Sequence, residues 1–214
     1  VDTIADAHYG DKVKMAMAFA DLLNQEARAL ERDGVDTIQF DEPAFNVYMD
    51  DVKRWGIDAL HRAIKGLKCT TAVHICYGYG IKANRDWKET LGGEWRQYEK
   101  IFPALAKSRV KQVSLECANS RVPLELLKLL KGKDVLVGVI DVATDKVETP
   151  AQVAATIGNA LKYVPKSRLF PLASNALPPS QAPRKPPIWC DSMTMPNSVA
   201  RYRGPCSFAT SPTV

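Results

Sequence analysis

Between residues 11 and 171 the chain alternates amphipathic helical stretches with short apolar, β-branched runs, a pattern that leaves few folds open. Val13, Met17, Ala20, Leu23, Ala27 and Leu30 recur at helical spacing over residues 11–33 and stop at Gly34. Residues 35–40 then read as a strand, 50–67 as a helix ending near Gly66, and 70–76 as the next strand. Residues 95–107 are predicted helical, interrupted or kinked around Pro103. A strand over 110–115, a helix over 123–130 and a strand over 135–140 follow; Pro150 opens a helix running to Tyr163, and Leu169-Phe170 begins a last strand.

Helices of this length between strands imply parallel βαβ units, in an α/β fold. An eight-fold βα barrel and an open doubly wound sheet both fit. No Gly-x-Gly-x-x-Gly or Walker-type loop follows any strand, which argues against a nucleotide-binding sheet. The expected class is a (βα)8 barrel of the TIM type, incomplete, with about five βα units.

The pattern breaks after Pro171. Residues 172–214 hold eight of the 14 prolines, many Ser and Thr, and no periodicity, so they read as an irregular tail beside a domain spanning 1–171. The net charge of +5 misleads, because +3 of it lies in that tail. No basic stripe with interleaved aromatics occurs, so nucleic acid is a poor partner. No apolar run approaches the roughly 18 residues that cross a bilayer, and the N-terminus lacks a basic start and an apolar h-region. A cytoplasmic setting is expected. Five cysteines with scattered spacing suit reduced thiols or metal ligands better than a disulfide framework.

Three strand ends carry chemistry. In Ala72-Val73-His74-Ile75-Cys76, positions 74 and 76 share one face of a strand, so an imidazole and a thiol leave the backbone side by side. That pair suits zinc, although a buried thiol beside a satisfied histidine is the simpler reading of this motif alone. In Ile38-Gln39-Phe40-Asp41-Glu42-Pro43, two carboxylates stand where a strand ends before proline; a solvated turn would look the same. In Val113-Ser114-Leu115-Glu116-Cys117, Glu116 closes an apolar strand and must find a metal or a partner such as Arg121 if it points inward. Together, His74, Cys76 and Glu116 would offer zinc one nitrogen, one sulfur and one oxygen. Trp55, Trp87 and Trp95 could stack on a flat donor, but helix packing is the simpler explanation for them. Gly78, Tyr79 and Gly80 could form a loop over the site or an ordinary glycine turn. Cys117 is expected to point into the core, as is Cys69, and His8 and His61 to lie on the surface.

The segments Ile38-Gln39-Phe40-Asp41-Glu42-Pro43-Ala44, Val73-His74-Ile75-Cys76-Tyr77, Ser114-Leu115-Glu116 and Gly138-Val139-Ile140-Asp141-Val142 resemble the catalytic domain of cobalamin-independent methionine synthase, in order and in approximate spacing. The similarity covers roughly residues 10–171 and is closest to the short, core-only branch. It implies a zinc-dependent transfer of a methyl group to the thiol of homocysteine, in methionine biosynthesis. By position, His74, Cys76 and Glu116 match zinc ligands, and Asp41, with Glu42 beside it, matches the carboxylate that holds the substrate's amino group. The methyl donor, a methylated folate or another compound, and the oligomeric state are not specified.

The chain departs from that pattern in three places. The family's fourth ligand, a cysteine near the C-terminus, falls on Asn175, with Cys190 and Cys206 far downstream. A histidine used as an acid by the larger enzymes falls on Ala143. The family's first strands should precede residue 1, so the chain reads as a truncated member. Two alternatives stand beside this reading. One is another enzyme of the same barrel superfamily, such as a different thiol methyltransferase or a uroporphyrinogen-decarboxylase-like protein. The other is a non-catalytic fragment.

Overall fold

A computed structural model of the chain describes residues 5–77, 82–118, 120–141 and 146–173. Helix α1 (Lys12–Arg32) starts where Asp11 accepts hydrogen bonds from the Val13 and Lys14 N–H groups, satisfying two of the donors a helix start leaves open. It ends before Gly34, whose φ of 89° is a left-handed conformation that a side chain would strain. Strand β1 (Thr37–Asp41) follows. The chain then makes a short 3-10 turn (Pro43–Asn46), a turn of helix α2 (Met49–Asp51), a π-type turn (Val52–Gly56) and helix α3 (Ile57–Ala63). Next come β2 (Thr70–Ile75), α4 (Lys82–Glu89), α5 (Tyr98–Lys107) and β3 (Gln112–Glu116). A 3-10 segment (Leu124–Leu129), β4 (Asp134–Ile140), α6 (Pro150–Ala160) and β5 (Leu169–Ala173) complete the order.

The five strands form one sheet, every neighbour parallel, in the order β1-β2-β3-β4-β5. A doubly wound sheet would reverse its strand order at a switch point. Strictly sequential neighbours are instead what successive βα units of a barrel produce. The architecture is therefore an α/β arc of the barrel type with five strands among the described residues.

The register sorts the strand residues into two faces. Phe40, Val73, Val113 and Val135 are consecutive register partners, as are Ile75, Leu115 and Val137. This face belongs to the main apolar cluster, shared with Leu60 of α3, Ile101, Phe102 and Leu105 of α5, and Ala160 of α6. Each Val, Leu, Ile or Phe side chain among them, fully withdrawn from water, contributes about 1.5–3 kcal/mol of burial as an upper estimate. The other face carries Asp41, His74 and Ser114 as register partners, with Glu116 two residues further along β3. The apolar face anchors the sheet to the helices, so the polar one is free for chemistry.

Three local readings need correction. Residues 124–129 form a 3-10 segment rather than an α-helix, closed by bonds such as Leu130 N–H to Leu127 O. Pro123, extended and without an N–H, and Gly132 at φ 78° bound the segment, and short 3-10 pieces of this kind are common as connectors. Helix α5 begins at Tyr98 rather than Trp95 and runs through Pro103 without ending. Pro103 is exposed, so the Glu99 carbonyl that it cannot serve faces the solvent side. Helix α4 and the Pro43–Asn46 turn were not anticipated. Strand β5 also continues through Leu172 and Ala173, two residues past the break in pattern. Residues 174–214 lie outside the described residues, as do Gly78, Tyr79, Gly80 and Ala143.

Candidate active site at the strand ends

His74 and Ser114 face each other across β2 and β3, and His74 Nδ1 is hydrogen-bonded to Ser114 Oγ at 3.0 Å. The other ring nitrogen, Nε2, is buried and has no hydrogen-bond partner. Burial lowers the pKa of the ring, with Asp41 opposing, which favours the neutral imidazole. A neutral histidine with one nitrogen oriented by a neighbour and the other left open is the form that ligates metals.

Glu116 is 1 % exposed, at the end of β3. Burial, with Asp141 adding, pushes its carboxyl up to about 8. Arg121 is engaged elsewhere: one arm of its guanidinium donates to Gly92 O at 3.1 Å. Opposite Glu116 in the register stands Gly138. A Cβ there would come within 3.1 Å of Leu115 O and 3.4 Å of Glu116 Cα, so the close approach of β3 and β4 at this point needs glycine.

Cys76 is buried just beyond the last ladder residue of β2. The Lys88 ammonium on α4 lies within electrostatic range of both Cys76 and Asp141, and it sits 5.7 Å above the Trp95 ring. Asp41 is exposed at the end of β1, where Gln39 Nε2 donates to its Oδ1 at 2.9 Å. Glu42 follows, its N–H donating to His74 O at 2.8 Å. Burial, with the Asp41 charge adding, raises the Glu42 carboxyl, so Glu42 takes up a proton before an ordinary carboxylate would.

The sheet thus brings Asp41, His74, Ser114 and Glu116 to one face at one rim. Among the described residues, no three His, Cys, Asp or Glu side chains are gathered closely enough around one point to form a ready-made metal cage. The donor types and the open, buried Nε2 nevertheless suit a zinc ion. Trp87 and Trp95 pack on Tyr77, with ring centroids 5.8 and 4.7 Å away, and Cys117 packs against the core with its thiol pushed up to about 12 by burial and Glu116. Cys69 is half-buried, its thiol pushed up to about 11. His61 is not simply a surface residue: its Nε2 accepts the Arg109 N–H at 3.0 Å. Sequence pattern alone does not single out Ser114 or Lys88. A serine between Val113 and Leu115 was a usable signal, being a polar residue inside an apolar strand and two before Glu116; Lys88 offered none.

The described helices include none long and apolar enough to cross a membrane. Residues 7–171 match the family model of the cobalamin-independent synthase catalytic domain. The methionine synthase of Thermococcus kodakarensis is 31% identical over 164 residues, covering 76% of this chain and 43% of that protein. The one from Saccharolobus solfataricus is 32% identical over 166 residues, covering 76% and 44%. A solved structure of a B12-independent methionine synthase from Shewanella sp. W3-18-1, in complex with selenomethionine, superposes with a TM-score of 0.77 at 62% identity, covering 80% of this chain and 50% of that one. The chain spans about half the length of the relatives it matches. By the family match and the barrel-type sheet alike, this chain belongs to the cobalamin-independent methionine synthase catalytic-domain family.

Proposed function

We propose that this chain carries the strand ends of a methionine synthase active site, which transfers a methyl group to the thiol of homocysteine, with His74, Cys76 and Glu116 as zinc ligands. The observation that carries the reading is His74: one nitrogen is held by Ser114, and the other is buried and unpartnered on the face it shares with Glu116. Bound there, zinc would act as a Lewis acid and lower a thiol's pKa below its free value of about 8.5.

The other residues prepare the substrate. Asp41 places a carboxylate on the exposed rim, where it can accept a charge-assisted hydrogen bond from an amino acid's ammonium group. Glu42, with its raised pKa, adds less negative charge beside it. Lys88 places an ammonium within electrostatic range of Cys76, the proposed thiol ligand. The selenomethionine in the Shewanella structure is the selenium counterpart of the expected product, which fits an amino-acid site.

Calorimetric titration of the zinc-loaded chain with L-homocysteine tests the reading. Binding should release a proton near pH 7 and weaken at least tenfold in Asp41→Asn. Binding that is indifferent to zinc and to Asp41, or no binding at all, would overturn it.

A further inference from the structure

His74 and Cys76 share a face only while the backbone stays extended past the end of the ladder. Ile75 is the last residue of β2 to pair with β3, opposite Leu115, and Cys76 lies beyond it. Two side chains take over where the ladder stops. The Tyr98 hydroxyl donates to Ile75 O at 2.9 Å, and Asn46 Nδ2 donates to Cys76 O at 2.9 Å. Both residues are buried, Tyr98 completely. With Glu42 N–H on His74 O, three successive carbonyls of the metal-binding stretch each have a donor from a different element.

These donors are well placed to set direction. Tyr98 stands at the start of α5, locked between Tyr77 at 5.3 Å and Phe102 at 4.5 Å between ring centroids. Asn46 ends the 3-10 turn that leaves Asp41-Glu42-Pro43, so it ties the substrate-binding strand end to the thiol-bearing one. Asn46 Oδ1 is buried with no hydrogen-bond partner. An apolar side chain of similar size would avoid leaving that oxygen unpaired. The amide's distinctive contribution is its grip on the Cys76 carbonyl.

We infer that Asn46 and Tyr98 are positioning residues, which hold the backbone at Ile75 and Cys76 so that the Cys76 sulfur emerges beside His74 Nε2. The inference rests on the zinc reading above. Both would act through the backbone that carries the ligands, by their bonds to Ile75 O and Cys76 O.

The test uses the full chain loaded with cobalt(II), whose thiolate charge-transfer band reports the Cys76 sulfur. Tyr98→Phe removes one hydroxyl, and Asn46→Leu replaces the amide by an apolar group of similar size. Both should keep the native far-UV circular dichroism, lose intensity in the band, and bind cobalt about tenfold more weakly or worse, as metal sites do when an outer partner is lost. Leu127→Val, a change in the same apolar cluster that removes no donor to either carbonyl, should keep the band. Variants that retain band and affinity contradict the inference while leaving the zinc reading intact. Unfolding of both variants would mark the pair as structural and also contradict it. An unaltered chain that takes up no cobalt, or shows no thiolate band, overturns both the inference and the zinc reading.

Discussion

His74 Nδ1 and Ser114 Oγ are hydrogen-bonded at 3.0 Å across two parallel strands, which leaves the remaining ring nitrogen of His74 buried and without a partner. Replacing the hydroxyl should therefore affect the metal more than its size suggests. Ser114→Ala is expected to weaken zinc about tenfold, near 1.4 kcal/mol. It should also destabilise the metal-free fold by about 1–3 kcal/mol, because a buried ring nitrogen loses its partner. Chelator competition and urea melts read the two effects, and Ser114→Thr, which keeps the hydroxyl, should recover most of the affinity. An unaltered zinc constant in Ser114→Ala would remove Ser114 from the site.

Glu116 should show opposite signs in two measurements. Its carboxyl, pushed up to about 8, contributes stability while protonated, and that contribution fades as pH rises from the ordinary range near 4.5 through about 8. Glu116→Gln cannot ionise, so above pH 8 the metal-free variant should melt at a higher temperature than the unaltered chain. The same variant should bind zinc at least tenfold more weakly. Equal melting temperatures at pH 9 would contradict the burial account.

His61 sets an acid limit. Burial lowers its pKa below the ordinary 6.5, with Arg109 adding and Asp58 opposing, and its Nε2 must be neutral to accept the Arg109 N–H. A histidine with a depressed folded pKa stabilises above the unfolded value and loses that contribution as pH falls through the folded one. Stability should accordingly decline on acidification below about 6.5. His61→Gln, which can accept the bond without charging, should flatten the decline. A variant with the same pH slope would clear His61 of this role.

Two glycines should respond in opposite directions to alanine. At Gly138 the added Cβ meets backbone at 3.1 Å, beside Glu116, so Gly138→Ala is expected to destabilise by about 1–3 kcal/mol and to weaken zinc. Gly158 lies inside α6, where an added Cβ would meet nothing within 4 Å, so Gly158→Ala should stabilise by about 0.5–1 kcal/mol. Urea denaturation of both variants checks the pair of signs.

Much of this arrangement was legible in the sequence, because strand and helix periods are local. Val73, Ile75, Val113, Leu115, Val135 and Val137 announced the apolar face, and His74 and Glu116 fell opposite them by alternation alone. The pairing of His74 with Ser114 was not readable, since it depends on register, which joins residues 40 positions apart. Cys76 illustrates the same limit. Its extension past the ladder depends on Tyr98, 23 residues from the Ile75 carbonyl it holds, and on Asn46, 30 residues from Cys76. The 3-10 segment at Leu124–Leu129 carries helix-forming residues, and nothing in its local pattern separates it from an α-helix.

The central claim is that one divalent ion is held jointly by His74, Cys76 and Glu116, and metal analysis of the purified, zinc-dialysed chain tests it most directly. The account predicts one zinc per chain, lost in each of His74→Ala, Cys76→Ala and Glu116→Ala while the folded circular dichroism persists. Zinc retained at full occupancy in all three variants, or absent from the folded unaltered chain, would contradict it.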